Sequence, residues 1–284
     1  MNKLTIGPAG NSEIFYQNGY KRTLQAPQFL KSIGLTGYEY SFGRGFTLGE
    51  DLAKQIGEEA KKNDITLSVH APYYINFANP DDQMIQKSIG YVQKSLEYLD
   101  LLNAEKVVVH TASVGKMERE QALNRVKTTL QQCLNQVKQN CNTKNKYICL
   151  ETMGKYMQIG TYEEIIDLCT MDDVLIPTFD FGHINCIMQG GLKTEQDYQK
   201  IFELCFEKLG EFKTKNCHFH FSKIEYSSKG EIKHLDLSDT QYGPEFEPLA
   251  RVIKKLNLTP TIICESKNKM MEDALVLKQI YESI

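Results

Sequence analysis

The sequence lacks the features that mark several specialised classes of protein. Its eight cysteines include no C-x-x-C pair, and several lie inside apolar segments, so we expect reduced, buried thiols rather than a disulfide framework. No apolar segment approaches the roughly 20 residues of a membrane-spanning helix. Neither a basic region nor an apolar signal core precedes residues 4–6. These absences predict a cytoplasmic protein with no membrane partner.

An excess of charge of one sign is also absent. The 33 Lys and Arg residues nearly balance the 36 Asp and Glu residues, which gives a net charge of −3 at pH 7. The overall charge therefore does not indicate a polyanionic partner, although bound divalent ions could invert the field locally. With 284 residues, 41% of them hydrophobic, the chain has the size and composition of a (β/α)₈ barrel, which typically has about 250 residues.

Short β-rich segments alternate with segments of helical periodicity along the whole chain. The predicted strands are residues 4–6, 37–42, 65–69, 106–110, 147–151, 175–180, 216–223 and 260–265. Because no linker or low-complexity segment interrupts this alternation, it predicts an α/β protein with a single (β/α)₈ TIM-barrel domain over residues 1–284. An open doubly wound sheet is the alternative, but no glycine-rich phosphate loop follows the first strand.

Imidazole and carboxylate side chains recur at the predicted strand ends: His70, His110, Glu151, Asp180, His218, His220 and Glu265. His183 follows Asp180 in a D-x-x-H pair, and His234 lies after the seventh strand. The carboxyl ends of all strands of a TIM barrel converge on one rim. Any one of these side chains could be an ordinary hydrogen-bonded residue, but together they predict a multinuclear metal site. Nitrogen and oxygen ligands without thiolates suit zinc or another first-row divalent ion.

Several segments resemble the endonuclease IV family of apurinic/apyrimidinic endonucleases, and the resemblance extends over nearly the whole chain. The matching segments are Val69-His-Ala-Pro-Tyr-Tyr-Ile-Asn76, Val107-Val-Val-His110, Cys149-Leu-Glu-Thr152, Phe179-Asp-Phe-Gly-His183, His218 with its flanking strand, and Ile263-Cys-Glu265. The resemblance implies a TIM barrel that carries three zinc ions (Zn²⁺). It also implies double-stranded DNA with abasic sites as the partner, and hydrolysis of the phosphodiester 5′ to the abasic site in base excision repair. We expect a monomer.

The resemblance also implies a role for each residue at the rim. The first zinc ion would be held by His70, His110 and Glu151. Glu151 would bridge to a second ion, which would also be held by Asp180, His218 and Glu265. The third would be held by His183 with ligands from the loop after the seventh strand, where this sequence offers Glu231 and His234. Tyr73 matches the tyrosine that the family uses at the abasic gap. From their positions at the predicted rim, we also expect Glu265 or the bridging Glu151 to orient the attacking water, and His220 and Lys223 to contact the substrate.

Departures from the family pattern leave alternatives open. His110 is followed by Thr-Ala where the family usually has Pro-Gly, and Glu231-x-x-His234 stands in place of Asp-x-His. His218 and His220 could exchange roles because both face inward, although the following Ser-Lys pair favours His218 as the ligand. A metal-dependent sugar isomerase or epimerase with a xylose-isomerase-like barrel would use the later carboxylates and one of these histidines. It does not usually need both His70 and His110. An inactive homologue that binds metal or DNA is a third alternative.

Overall fold

The computed structural model describes residues 4–284. In this part of the chain, eight parallel strands form one sheet: β1 (Thr5–Pro8), β2 (Gly37–Ser41), β3 (Thr66–His70), β4 (Lys106–Val109), β5 (Tyr147–Glu151), β6 (Leu175–Asp180), β7 (His218–Phe221) and β8 (Thr261–Cys264). The order of hydrogen-bonded neighbours is β1-β8-β7-β6-β5-β4-β3-β2. Sequential strands are therefore spatial neighbours, as in a TIM barrel.

The first two strands approach each other and nearly close the barrel. The Thr36 backbone N–H donates to the Ile6 carbonyl oxygen at 3.0 Å, and the Thr36 hydroxyl oxygen accepts from the Ile6 N–H at 3.1 Å. A Cβ atom added to Gly7 would lie 1.8 Å from the carbonyl oxygen of Gly37, so the approach requires a residue without a side chain. The predicted α/β class and TIM-barrel fold are confirmed.

Helices surround the sheet: α1 (Glu13–Gln17), α2 (Ala26–Ile33), α3 (Glu50–Lys62), α4 (Asp82–Leu102), α5 (Arg119–Asn140), α6 (Tyr162–Cys169), α7 (Phe181–Ile187), α8 (Glu195–Lys215), α9 (Phe246–Lys255) and α10 (Met270–Ser283). Helix α4 shows why they pack there, because Ile85, Ile89, Val92, Leu96 and Leu99 are buried at spacings of three and four residues. No helix within residues 4–284 is both long and apolar enough to cross a membrane.

The observed bounds differ slightly from the predicted ones. Strand β1 ends two residues beyond the predicted segment. Helix α8 continues to Lys215 across a kink at Gly210, whose φ is 75°. Residues 1–3, on which the expectation of no signal core partly depends, lie outside the described residues. The segment after β7 is a hairpin in which Lys223–Ser227 pairs with Gly230–Leu235. This hairpin stands at the carboxyl rim of the barrel.

Candidate metal centre

Two imidazoles converge on one oxygen of Glu151. The Nε2 atoms of His70 and His110 lie 3.2 Å and 3.0 Å from Glu151 Oε2. Nδ1 of His70 lies 2.8 Å from the carbonyl oxygen of Ala71 and donates to it, because a carbonyl can only accept. In the neutral ring, Nε2 is therefore the unprotonated nitrogen, the form that binds a metal ion. These three residues come from the ends of β3, β4 and β5.

A second group lies beside the first and shares Glu151 with it. Potential ligand atoms of Glu151, Asp180, His220 and Glu265 all lie within 4.8 Å of one another. His220 Nδ1 is 3.0 Å from Glu151 Oε1 and 3.4 Å from Glu265 Oε2. One Asp180 oxygen accepts the His183 backbone N–H at 2.8 Å. The other, Oδ2, is buried and has no hydrogen-bond partner among the described residues. A buried carboxylate oxygen of this kind is costly unless a cation satisfies it.

A third group joins Asp180 to histidines from α7 and the rim hairpin. Ligand atoms of Asp180, His183 and His234 lie within 4.8 Å of one another, and Glu231 Oε2 lies 3.5 Å from His183 Nε2. The carbonyl oxygen of Thr152 lies 2.9 Å from His183 Nδ1, so Nε2 is the nitrogen left for a ligand bond. The structure thus brings together the residues predicted for the third site.

A β-bulge explains how Glu231-x-x-His234 replaces the expected spacing of two residues. In a regular strand, residues three apart face opposite sides of the sheet. Here Tyr226 pairs with Glu231 and Glu225 pairs with Lys233, so Ile232 is an extra residue without a pairing partner. One extra residue shifts the alternation by one position. Glu231 and His234 therefore share a side of the hairpin, with His234 Nε2 3.8 Å from Glu231 Oε1.

The structure corrects the predicted place of His218. The prediction grouped His218 with Glu151, Asp180 and Glu265, but His220 occupies that position. The pairing of β6 with β7 sets Asp180 beside His220 and Thr178 beside His218. His218 is therefore two residues deeper in the barrel, roughly 7 Å along the strand. The Ser-Lys pair after β7 could not show which histidine lies at the rim. The level of a side chain along the barrel axis is set by the pairing of its strand with the neighbouring strand, not by its distance in sequence from the next motif.

Glu39, in the middle of β2, was not predicted as a site residue. Its carboxylate lies between the two β7 histidines, with Oε2 2.9 Å from His218 Nε2 and Oε1 2.9 Å from His220 Nε2. The Ser68 hydroxyl also donates to Oε2, at 2.8 Å. All four side chains are buried. The sequence contains one indication that Glu39 is a site residue: it is a single glutamate between two tyrosines, on the same strand face as Gly37 and Ser41.

Of the three predicted substrate contacts, Tyr73 is exposed at the rim, whereas Lys223 and His220 are buried. The Tyr73 side chain is 53% exposed, and its ring stacks on His110 with centroids 5.2 Å apart. Lys223 is buried, and its ammonium group donates to the Asp239 carbonyl oxygen at 2.7 Å and to Glu245 Oε1 at 2.6 Å. Both contacts hold the Lys223 ammonium group away from the rim histidines. His220 is buried as well, and substrate contact by either residue remains a prediction.

The pKa shifts of His220, Glu151 and Asp180 show that the central ligand group favours a positive charge. Burial opposes a charged His220, but Glu265, Glu39 and Glu151 outweigh it and hold the pKa of His220 well above its usual value. Burial also opposes ionisation of Glu151, but His220 and His110 hold its pKa well below the ordinary range. Burial raises the pKa of Asp180, and the neighbouring Glu265 and Glu151 add to the effect. These carboxylates favour a nearby positive charge, which a proton on imidazole or a metal ion supplies.

Burial lowers the pKa of His218 to about 4, although Glu39 opposes the change. The neighbouring His220 shifts in the opposite direction because three carboxylates face it and only one faces His218. His218 is therefore the neutral member of the pair. Both rings contact Glu39, but only His220 also contacts the rim carboxylates.

The fold and these ligand groups define a TIM barrel with a candidate polynuclear metal centre at its carboxyl rim. The chain belongs to the xylose isomerase-like TIM barrel family, whose model matches residues 27–280. An uncharacterized protein of Methanocaldococcus jannaschii is 30% identical over 261 residues, which cover 92% of each chain. A probable endonuclease 4 of Mycoplasma genitalium is 30% identical over 213 residues, or 73% of this chain and 67% of the relative. The predicted resemblance to endonuclease IV is confirmed.

Two kinds of enzyme occur among the similar solved structures. Endonuclease IV from Thermus thermophilus has a TM-score of 0.67 and 18% identity, with 99% of this chain and 97% of that chain covered. A D-tagatose 3-epimerase-like protein has a TM-score of 0.68 and 20% identity, with 90% of each chain covered. Likeness at this level of identity establishes the fold and does not choose between the two activities.

Proposed function

We propose that the protein is a zinc-dependent endonuclease that hydrolyses the DNA phosphodiester 5′ to an abasic site. One observation carries the proposal: three of the four candidate ligand groups lie in a row, with Glu151 shared by the first and second and Asp180 shared by the second and third. The fourth group, Glu39 with His218 and His220, lies deeper in the barrel. A sugar epimerase would need only the central group. The relatives described as probable endonuclease 4 support the same choice.

The residues fit divalent metal ions. The first ion would be held by His70, His110 and Glu151, the second by Glu151, Asp180, His220 and Glu265, and the third by His183, Glu231 and His234, with Asp180 adjoining. Nitrogen and oxygen donors suit zinc. Asp180 Oδ2, which lies 3.3 Å from His183 Nδ1 but accepts no hydrogen bond from the described residues, lies where a cation would satisfy it. When bound, such ions supply positive charge that stabilises a phosphodiester and its leaving oxygen. The number and identity of the ions are part of the proposal.

Glu265 is the better candidate to orient the attacking water. Its side chain is 17% exposed at the rim, whereas Glu151 is buried beneath three imidazoles. A carboxylate must lie within hydrogen-bond reach of the water whose proton it accepts. Glu151 would instead hold two neighbouring ligand groups together.

The exposed rings of Tyr73 and Tyr74 suit a substrate with a gap in its base stack. Both rings follow β3 at the rim, and Tyr73 packs against His110 beside the first ligand group. An aromatic ring can stack on exposed bases without reading their sequence. Extruding an abasic nucleotide costs little, because it has no base to unstack. This combination would direct an abasic site toward the metal centre.

The test is a metal analysis of the purified protein combined with incision of a labelled duplex that contains one abasic site. We expect about three zinc ions per chain and a nick on the 5′ side of the site, which a chelator abolishes and zinc restores. An undamaged duplex of the same sequence is the matched control. One or two ions, together with no nick and turnover of a ketose or aldose, would contradict the proposal.

A sugar isomerase or epimerase is the second candidate, favoured by the central group and by the epimerase-like structure. It predicts that sugar turnover survives loss of the His70–His110 pair. An inactive homologue would bind abasic DNA without incision. The incision assay, together with a binding assay on the abasic duplex and a turnover assay on D-tagatose and related ketoses, separates these possibilities.

A further inference from the structure

Glu39 connects the rim to a deeper layer of the barrel. Its Oε1 lies 2.9 Å from Nε2 of His220, which belongs to the central ligand group. Its other oxygen receives His218 Nε2 and the Ser68 hydroxyl, at 2.9 Å and 2.8 Å. Residues from β2, β3 and β7 thus meet at one buried carboxylate. The Glu39–His220 contact has ion-pair distance but not the alignment of a hydrogen bond.

The two nitrogens of His220 face opposite partners. Nδ1 faces Glu151 and Glu265 of the central group, and Nε2 faces Glu39. A histidine that binds a metal ion through one nitrogen usually donates its other N–H to a carboxylate or carbonyl, which fixes the tautomer and the ring orientation. In the metal-bound centre, Nε2 would carry its proton toward Glu39, and Nδ1, which lies 3.0 Å from Glu151 Oε1, would be the nitrogen that binds the ion.

His218 has a different role in this arrangement. Its Nε2 faces Glu39, while its Nδ1 is buried without a hydrogen-bond partner in the described part of the chain. The ring is one layer below the rim and makes no contact there with Glu151, Asp180 or Glu265 that would place it in the central group. His218 and Ser68 together hold the Glu39 carboxylate in place.

We propose that Glu39 is a positioning residue, which orients His220 so that Nδ1 becomes a ligand of the central metal ion. The proposal rests on the metal centre proposed above, but not on the choice between DNA and a sugar as substrate. It assigns the β7 histidines separate roles, with His220 as ligand and His218 as support for Glu39.

Glu39→Gln tests this role with little change in volume. An amide presents one acceptor oxygen and one donor NH₂, so it cannot accept from both histidines. We expect one metal ion to bind about 10- to 100-fold more weakly, measured by competition with a chromogenic chelator. The affinities of the other ions should change by less than about threefold. Ser68→Ala is the matched comparison. It removes one donor to Glu39 but keeps the carboxylate and both histidine contacts, so it should weaken the binding of that ion less than Glu39→Gln does.

Two further measurements keep the test decisive if Glu39→Gln fails to fold. In zinc-loaded wild-type protein with ¹⁵N-labelled histidine, the His220 resonances should show a bound Nδ1 and a protonated Nε2. In His218→Gln, the new amide can still donate to Glu39, so the number of bound ions should not change.

Three results would overturn the proposal. The first is unchanged metal affinity in Glu39→Gln, and the second is metal on Nε2 of His220. The third is loss of a whole ion in both Glu39→Gln and His218→Gln, which would make Glu39, His218 and His220 a ligand set of their own. Absence of nicking by the wild-type protein would contradict the proposed nuclease function but leave the metal-affinity comparison intact.

Discussion

At the residue scale, the site depends on which atoms each imidazole offers. His70 and His183 both donate from Nδ1 to a backbone carbonyl, of Ala71 and Thr152 respectively. This leaves Nε2 of each ring toward a carboxylate. In the neutral rings the backbone therefore leaves Nε2 as the nitrogen that can bind an ion, which reduces the cost of ordering the ligands. His220 differs, since a side chain, Glu39, faces its second nitrogen.

His110→Ala tests the first ligand group. His110 is 21% exposed, so its removal should leave the barrel folded, but Glu151 and His70 would lose a partner. We expect loss of one bound ion and a fall in abasic-site incision of at least 100-fold, measured by elemental analysis and by the nicking assay. Tyr73→Ala is the control, because it should weaken DNA binding while all ions are retained. If His110→Ala keeps its ions and its activity, His110 is structural.

The pKa of His183 predicts how the stability of the metal-free protein varies with pH. Burial opposes the charged ring, but Asp180, Glu231 and Glu151 outweigh it and raise the pKa to about 9 from an ordinary value of 6.5. A pKa raised on folding contributes stability that is fully present below pH 6.5 and is lost as the pH rises toward 9. The Tm of the metal-free protein should therefore fall across this window.

His183→Asn is the control for the pH experiment, because it removes the titrating ring. Its Tm should fall less steeply than that of the wild-type protein between pH 6.5 and 9. Parallel profiles for the two proteins would show that His183 does not carry the effect.

At the scale of elements, strand register decides what the sequence could and could not predict. His70, His110, Glu151 and Glu265 were placed correctly at one rim, because the carboxyl ends of parallel strands converge whatever their exact register. The heights of His218 and His220 required the pairing of β7 with β6, which sequence periodicity does not give. Their metal-binding roles remain predictions.

Contacts between residues that are distant in sequence could not be predicted either. The Lys223 ammonium group, an expected substrate contact, donates a hydrogen bond to Glu245, 22 residues further on. Glu39 was overlooked because it lies in mid-strand, where its partners on β7 come from 179 and 181 residues away. Period-two alternation would have shown that Glu39 faces inward, but not what it meets there.

The bulge at Ile232 gives a test of the third ligand group. Deleting Ile232 leaves Glu and His two residues apart in a regular strand, which again puts them on one side of the hairpin. We expect the deletion variant to retain the ion held by His183 and His234, as measured by elemental analysis. Glu231→Ala is the comparison and should lose that ion or bind it at least 10-fold more weakly. Loss of the ion in the deletion variant would show that the bulge itself is needed.

At the scale of the whole molecule, the meeting of β1 and β2 completes the barrel. Gly7→Ala would place a Cβ atom 1.8 Å from the Gly37 carbonyl oxygen. Overpacking at such a contact typically costs about 1–3 kcal/mol or more, so we expect a clear fall in the urea midpoint. Gly90→Ala is the matched control. Its Cβ would meet nothing within 4 Å in α4, and alanine there should stabilise the helix by about 1 kcal/mol.

The prediction of a single domain over residues 1–284 belongs to the same scale and remains a prediction. It requires that the wild-type protein and Gly7→Ala each unfold in one transition, seen at the same denaturant concentration by fluorescence and circular dichroism. Two separated transitions would contradict it.

Glu151 and Asp180 each serve two neighbouring ligand groups, while the outer histidines, His110 and His234, are 21% and 25% exposed. In the proposed centre, a chelator would reach the two end ions from solution but meet the central ion only after a neighbour had left. A chelator would then remove the two end ions before the central ion, and added metal would fill the central position before the two end positions. A partly stripped sample would contain a few defined occupancies rather than a random distribution of them.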